Sequence, residues 1–148
     1  MKLRDFKLKD LPEVMRIELS SFTFDAYDEL TFIYLYKKCG NLFLVAEAER
    51  RIAGYSVTCV EQEGKALVGY VHSIAVDPAF RRQGVGRALM EETFRRLRSL
   101  GISEVKLDVS VNNEVGLRFW RSLGFEPIGV KKRYYADGSD ALVMRMKL

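Results

Sequence analysis

One histidine and two cysteines in 148 residues leave little material for metal or thiol chemistry. Cys39 and Cys59 are too few for a disulfide framework and do not stand at metal-ligand spacing. His72 alone leaves a Cys/His zinc site short of ligands, and no HExxH pattern occurs, so no metal is expected. A serine or cysteine hydrolase triad has to use the same His72, which lies in a strand-like run, and that chemistry is set aside. No apolar run approaches the roughly 20 residues that cross a bilayer. The start, Met1-Lys2-Leu3-Arg4-Asp5, lacks the apolar block of a signal peptide. The expectation is a soluble, cytoplasmic protein with no membrane partner. Charge of one sign is also scarce: 24 Lys and Arg face 20 Asp and Glu, a net of +4. The basic clusters Arg81-Arg82, Arg95-Arg96-Leu97-Arg98 and Lys131-Lys132-Arg133 are short, so no nucleic-acid partner is expected. Linkers, repeats and low-complexity tracts are missing too.

What remains suits one domain. At 17.0 kDa, with 48% hydrophobic residues, the chain is long enough to bury roughly 70% of the surface its unfolded form exposes. Leu3 to Phe6 reads as an edge strand. Asp10-Leu11-Pro12-Glu13 has the pattern of a capping box, and Leu11, Val14, Met15, Leu19 and Phe22 follow at helical spacing. A second helix is predicted from about Asp28 to Lys38, stopping near Gly40. An aromatic connection, Ser21 to Tyr27, lies between the two helices. Strands are predicted over Leu42–Ala48, Ile52–Glu61 and Ala66–Val76. A helix follows from Val85 to Gly101, then a strand over Val105–Val111 and a helix over Glu114–Leu123 with Gly124 as its stop. Strands near Glu126–Arg133 and Ala141–Lys147 close the order βααβββαβαββ. The predicted fold is mixed α/β, with a largely antiparallel central sheet and helices on both faces.

The chemistry concentrates between His72 and Met90. Here a strand ends, a short loop carries Arg81 and Arg82, and Gly84 and Gly86 open an amphipathic helix. Glycines let backbone N–H groups approach a ligand, a helix N-terminus favours phosphate oxygens, and arginines add positive charge. That is the design of a pyrophosphate cradle. It is not a dinucleotide fingerprint, because Leu89 takes the third glycine position, and no Gly-Lys-Ser/Thr makes it a P-loop. Taken whole, the stretch resembles motif A of the GNAT superfamily of acyl-CoA-dependent N-acetyltransferases, through Arg81, Gly84 and Gly86. Asn113, Trp120 and Leu123-Gly124-Phe125 are similar to a second family pattern. Lys132 to Ala141 resembles the C-terminal hairpin of ribosomal-protein-alanine and archaeal N-terminal acetyltransferases.

The resemblance implies acetyl-CoA as the acetyl donor, lying in a splay between the strands Ala66–Val76 and Val105–Val111. Backbone at Ile74, Ala75 and Val76 would pair with its pantetheine. The segment Arg81, Arg82, Gln83, Gly84, Val85, Gly86, Arg87 and Ala88 would hold its pyrophosphate, with Asn113 and Trp120 also beside the cofactor. Direct transfer to an amine is implied, most simply to the α-amino group of a protein or peptide N-terminus. Asp108, on the polar phase of its strand, is the candidate base acting through a water. Tyr70 and His72 share one alternation phase on the neighbouring strand and are further catalytic candidates. Phe24, Tyr27, Tyr134 and Tyr135 would line the acceptor site. Trp120 departs from the family, which places there a tyrosine able to protonate the leaving thiolate. Lysine or small-amine acetylation, and a non-catalytic CoA-binding module, stay open as alternatives. A monomer and a homodimer fit equally well.

Overall fold

The computed structural model describes residues 1–22 and 25–148. Among the described residues, seven strands and four α-helices follow the predicted order: β1 Lys2–Asp5, α1 Leu11–Ser21, α2 Glu29–Cys39, β2 Phe43–Ala48, β3 Arg51–Glu63 and β4 Ala66–Val76. Then come α3 Val85–Ser99, β5 Glu104–Ser110, α4 Glu114–Leu123, β6 Glu126–Lys131 and β7 Ala141–Lys147. They form one sheet in the order β1-β2-β3-β4-β5-β7-β6. Every pairing is antiparallel except β4 with β5. No described helix is long and apolar enough to cross a membrane.

Alternation along β2 and β3, reset by a register shift where Ala46 faces Gly54 and Glu47 faces Ile52, sorts the core onto two faces. Phe43, Val45, Tyr55 and Val57 pack with Val14 and Ile17 of α1 and Phe32 and Leu35 of α2. Leu44, Ala46 and Ala53 pack on the other face with Val85 and Leu89 of α3. Farther along α3, Met90, Phe94 and Leu97 meet Val105, Leu107 and Val109 of β5, and Trp120 of α4 joins the same cluster.

Two features of β4 build the site. Its register with β3 slips between Val57 and Thr58, so Val71 faces Thr58, Ser73 faces Val57, and His72 has no partner. This bulge shifts the phase of the strand. Ser73 comes to the α1/α2 face, bonded to Glu18, while Ile74 packs on the α3 side. Strict alternation from Tyr70 and His72 would have placed Ile74 with them. The second feature is the short parallel ladder. β4 and β5 pair only over Gly69–Val71 and Val105–Leu107, then diverge. Beyond Val71 the side of β4 toward β5 carries backbone without a strand partner, which is the predicted splay.

The start of α1 differs from the capping-box expectation. Asp10 gives its carboxylate to Arg4 and to the Lys7 N–H, and Glu13 reaches the Ile52 N–H at 3.2 Å. Neither side chain caps the helix, because both partners serve tertiary contacts instead. The inward face also differs: Leu19 is exposed, while Ile17 and Glu18 are buried. Glu18 occupies that interior position because three donors converge on its carboxylate: the Tyr27 N–H at 2.8 Å, the Ser73 hydroxyl at 3.0 Å and the Tyr55 hydroxyl. The two cysteines, too few for a disulfide framework, are nevertheless joined as one Cys39–Cys59 disulfide between the end of α2 and β3.

Candidate active site

The cradle forms where β4 gives way to α3. Asp77 organises the turn, accepting from the Ala79 N–H at 2.9 Å and from Arg16 at 2.9 Å. Arg82 and Gly84 take positive φ, 63° and 78°. Such left-handed residues swing successive N–H groups to one side and make an anion-binding concavity. It continues directly into the α3 N-terminus, whose first N–H groups have no intrahelical partner. Arg81, Arg82, Gln83 and Arg87 are exposed around it, and Val85 anchors the helix in the core. Gly86 is needed for a close approach: a Cβ there would stand 3.3 Å from the Phe119 ring. The backbone of Ile74, Ala75 and Val76 leads from the splay to this loop, and Ala88 lies one turn further along α3.

Asn113 and Trp120 occupy structural positions. Asn113 caps α4, its Oδ1 accepting from the Gly116 N–H at 2.9 Å. Trp120 is 6% exposed and stands edge-on to Phe119 and Phe125, inside the core cluster. Its neighbour Phe119 is the ring that approaches Gly86, a contact that sequence reading did not single out.

At the acceptor end Asp108 projects from β5. The Tyr70 hydroxyl and the Lys131 ammonium, the latter at 3.0 Å, both donate to its Oδ2. Oδ1 is buried and receives no hydrogen bond from the described residues. A buried carboxylate oxygen without a donor is costly, so this atom is suited to an incoming N–H or O–H. Burial first, then the bond to Asp108, pushes the Tyr70 phenol well above its usual range. In this arrangement the Tyr70 hydroxyl donates to Asp108. Tyr135 is pushed upward by burial and next by Asp108, and Tyr27 rises to about 12 through burial and then the Glu18 charge. These shifts mark an enclosed tyrosine shell around one carboxylate.

The walls are tied to each other. The Tyr27 hydroxyl donates to the His72 carbonyl at 2.9 Å, and the Ala136 N–H donates to Asp25 at 3.2 Å, linking the β6–β7 hairpin to the α1–α2 connection. Tyr134 stacks edge-on with Tyr135 and carries Lys131 5.0 Å over its ring. Phe24, the fourth expected wall residue, lies outside the described residues. His72 pairs with a different carboxylate: its ring is 5.3 Å from that of Tyr70, and its Nε2 faces Glu61 at 3.4 Å. Burial lowers its pKa, with the Glu61 hydrogen bond opposing. Lys131 was visible in the sequence only as part of a basic cluster, and Glu18 only as a helix residue. Neither carried a signal of its site contacts.

Comparison with known proteins places this geometry. The acetyltransferase (GNAT) family model matches residues 11–125. An N-alpha-acetyltransferase of Sulfurisphaera tokodaii is 30% identical over 99% of this chain and 93% of its own length. The [ribosomal protein bS18]-alanine N-acetyltransferase of Salmonella typhimurium is 31% identical, covering 94% and 92%. The crystal structure of Chaetomium thermophilum Naa20 in complex with a bisubstrate analogue superimposes with a TM-score of 0.91 at 26% identity, over 100% of this chain and 87% of that one. The family match over most of the chain and the full-length relatives agree, and the chain belongs to the GNAT acetyltransferase family.

Proposed function

We propose that this acetyltransferase moves the acetyl group of acetyl-CoA onto the α-amino group of a protein N-terminus, by direct attack within a ternary complex. The observation that carries the reading is the Oδ1 of Asp108, buried and without a donor among the described residues, at the closed end of the β4–β5 splay. An α-amine with a pKa near 8 is partly neutral at physiological pH, so a carboxylate acting through one water suffices to take its proton. A lysine amine, with a pKa near 10.4, is far less often neutral and needs a stronger base. The names of the two relatives and the bisubstrate complex support the same acceptor class.

Each group has a task. Cradle N–H groups and arginines bind the pyrophosphate, and the backbone groups of Ile74–Val76 that face away from β3 bind pantetheine. Tyr70 and Lys131 hold Asp108, leaving Oδ1 toward the acceptor, while Tyr27, Tyr134 and Tyr135 line the peptide's path. The leaving CoA thiolate, of pKa about 8.5, departs without an acid, since a buried indole N–H cannot supply a proton. The setting proposed is cytoplasmic. The test is acetyl-CoA turnover against peptides with free α-amines, peptides with blocked N-termini and free lysines, and no acceptor. Turnover confined to the first set is expected. Turnover on the second set alone would reassign the acceptor, and CoA binding without turnover would make the chain a CoA-binding module.

A further inference from the structure

A second cluster of reactive side chains begins at His72, whose ring stands 5.3 Å from that of Tyr70. Cys59 and Glu61 stand two residues apart on one face of β3, and His72 reaches the same face from the bulge of β4. The donor atoms of these three lie within 4.8 Å of one another. A fourth donor, Cys39 at the end of α2, is bonded to Cys59, with Cα atoms 4.5 Å apart. We propose that, once the Cys39–Cys59 bond is reduced, Cys39, Cys59, Glu61 and His72 bind a borderline-soft divalent cation, with Zn²⁺ the best match.

The donor set argues for that metal. Two thiolates, one imidazole nitrogen and one carboxylate oxygen make a four-coordinate S₂NO site of the type tetrahedral zinc accepts, and thiolate disfavours Mg²⁺ and Ca²⁺. Two thiolates and a carboxylate around a divalent ion leave one net negative charge, and Lys38, which bonds Glu61 at 2.7 Å, stands ready to balance it. Lys38 is exposed enough to swing toward water, so its contact with Glu61 yields at little cost. The redox step balances simply. An external dithiol gives two electrons and two protons to the disulfide, leaving two thiols and its own disulfide, and each thiol that then ligates the cation releases one proton. Nothing in the linear spacing announces the site, because it is assembled by strand pairing and a helix end.

The experiment is a Co²⁺ titration of the whole protein, fully reduced and freed of reductant in one arm and oxidised in the other. Reduced protein should bind one equivalent, with the intense visible bands of tetrahedral Co²⁺ and thiolate-to-metal charge transfer in the near ultraviolet, both removed by Zn²⁺. Oxidised protein should show neither. Glu61→Gln, at a partly exposed position, should weaken Co²⁺ binding about tenfold or more, and Cys39→Ser should diminish the charge-transfer band. No thiolate band in the reduced wild type would overturn the proposal. So would equal binding by the oxidised protein, or binding indifferent to Glu61→Gln.

Discussion

Asp108 divides its two oxygens between structure and chemistry, and each half makes a different prediction. Asp108→Asn retains the shape but removes the basicity, so turnover should fall about 100-fold, the lower range for loss of a general base. Acetyl-CoA affinity measured by calorimetry should not change. The deficit should shrink as pH rises, because more of the acceptor amine is then already neutral; a variant near full activity from pH 6 to 9 would remove Asp108 from the mechanism. Tyr70→Phe deletes only a donor to Oδ2 and should cost less, with the two losses less than additive. Glu18 makes a separate pH prediction. Burial raises its pKa to about 7, against the Tyr27 and Ser73 hydrogen bonds that favour the anion. With the folded pKa above the unfolded one, the native state binds the proton more tightly. The stability this contributes is complete below about pH 4.5 and is lost as pH climbs through about 7, on the order of 3 kcal/mol. Melting curves of Glu18→Gln between pH 5 and 8 should lack that slope. At this scale the family resemblance pointed to Asp108, Tyr70 and Tyr135, and the structure brings these three together. The sequence was silent on Lys131, Phe119 and Glu18, whose meaning comes from neighbours far along the chain.

At the scale of elements, α3 and α4 each depend on their first turn. Gly86→Asp would press a Cβ toward Phe119 and set a negative charge beside the phosphates. CoA affinity by calorimetry should fall at least tenfold while helix content persists; unchanged affinity in a folded variant would move the cradle elsewhere. In α4, Asn113→Ala removes the N-cap and should cost about 1 kcal/mol in denaturant unfolding, without needing any change in CoA affinity. Element boundaries were largely legible because glycines mark them. Gly40, Gly101 and Gly124 end helices at positive φ, as their positions suggested. Local pattern failed where tertiary partners claimed the side chains. Asp10 and Glu13 left the α1 cap for Arg4 and Ile52, and the ionisable Glu18 replaced the expected Leu19 in the core. The β4 bulge was likewise hidden, since one extra residue shifts phase without altering the strand's apolar composition.

For the molecule as a whole, the Cys39–Cys59 link closes a loop across 20 positions of sequence and fastens α2 to the sheet. In the presence of a chelator, reduction should lower stability by about 3 kcal/mol on chain-entropy grounds. That corresponds to roughly 10 °C in Tm for a chain of this size. Scanning calorimetry of the two redox forms checks it, and an unchanged Tm would mean that packing alone holds α2. The parallel ladder between β4 and β5 has a consequence at the same scale. Only three residue pairs join the first four strands to the last three along that seam. An acetyl-CoA molecule lying in the gap lengthens the seam, its amides standing in for the missing rungs. The donor would then become part of the architecture, and because the acceptor walls come from opposite sides of the seam, its docking should set their separation. The expected outcome is an ordered reaction, acetyl-CoA first and peptide second. Amide exchange at Ile74 to Val76 should slow when CoA is added and should be indifferent to peptide alone.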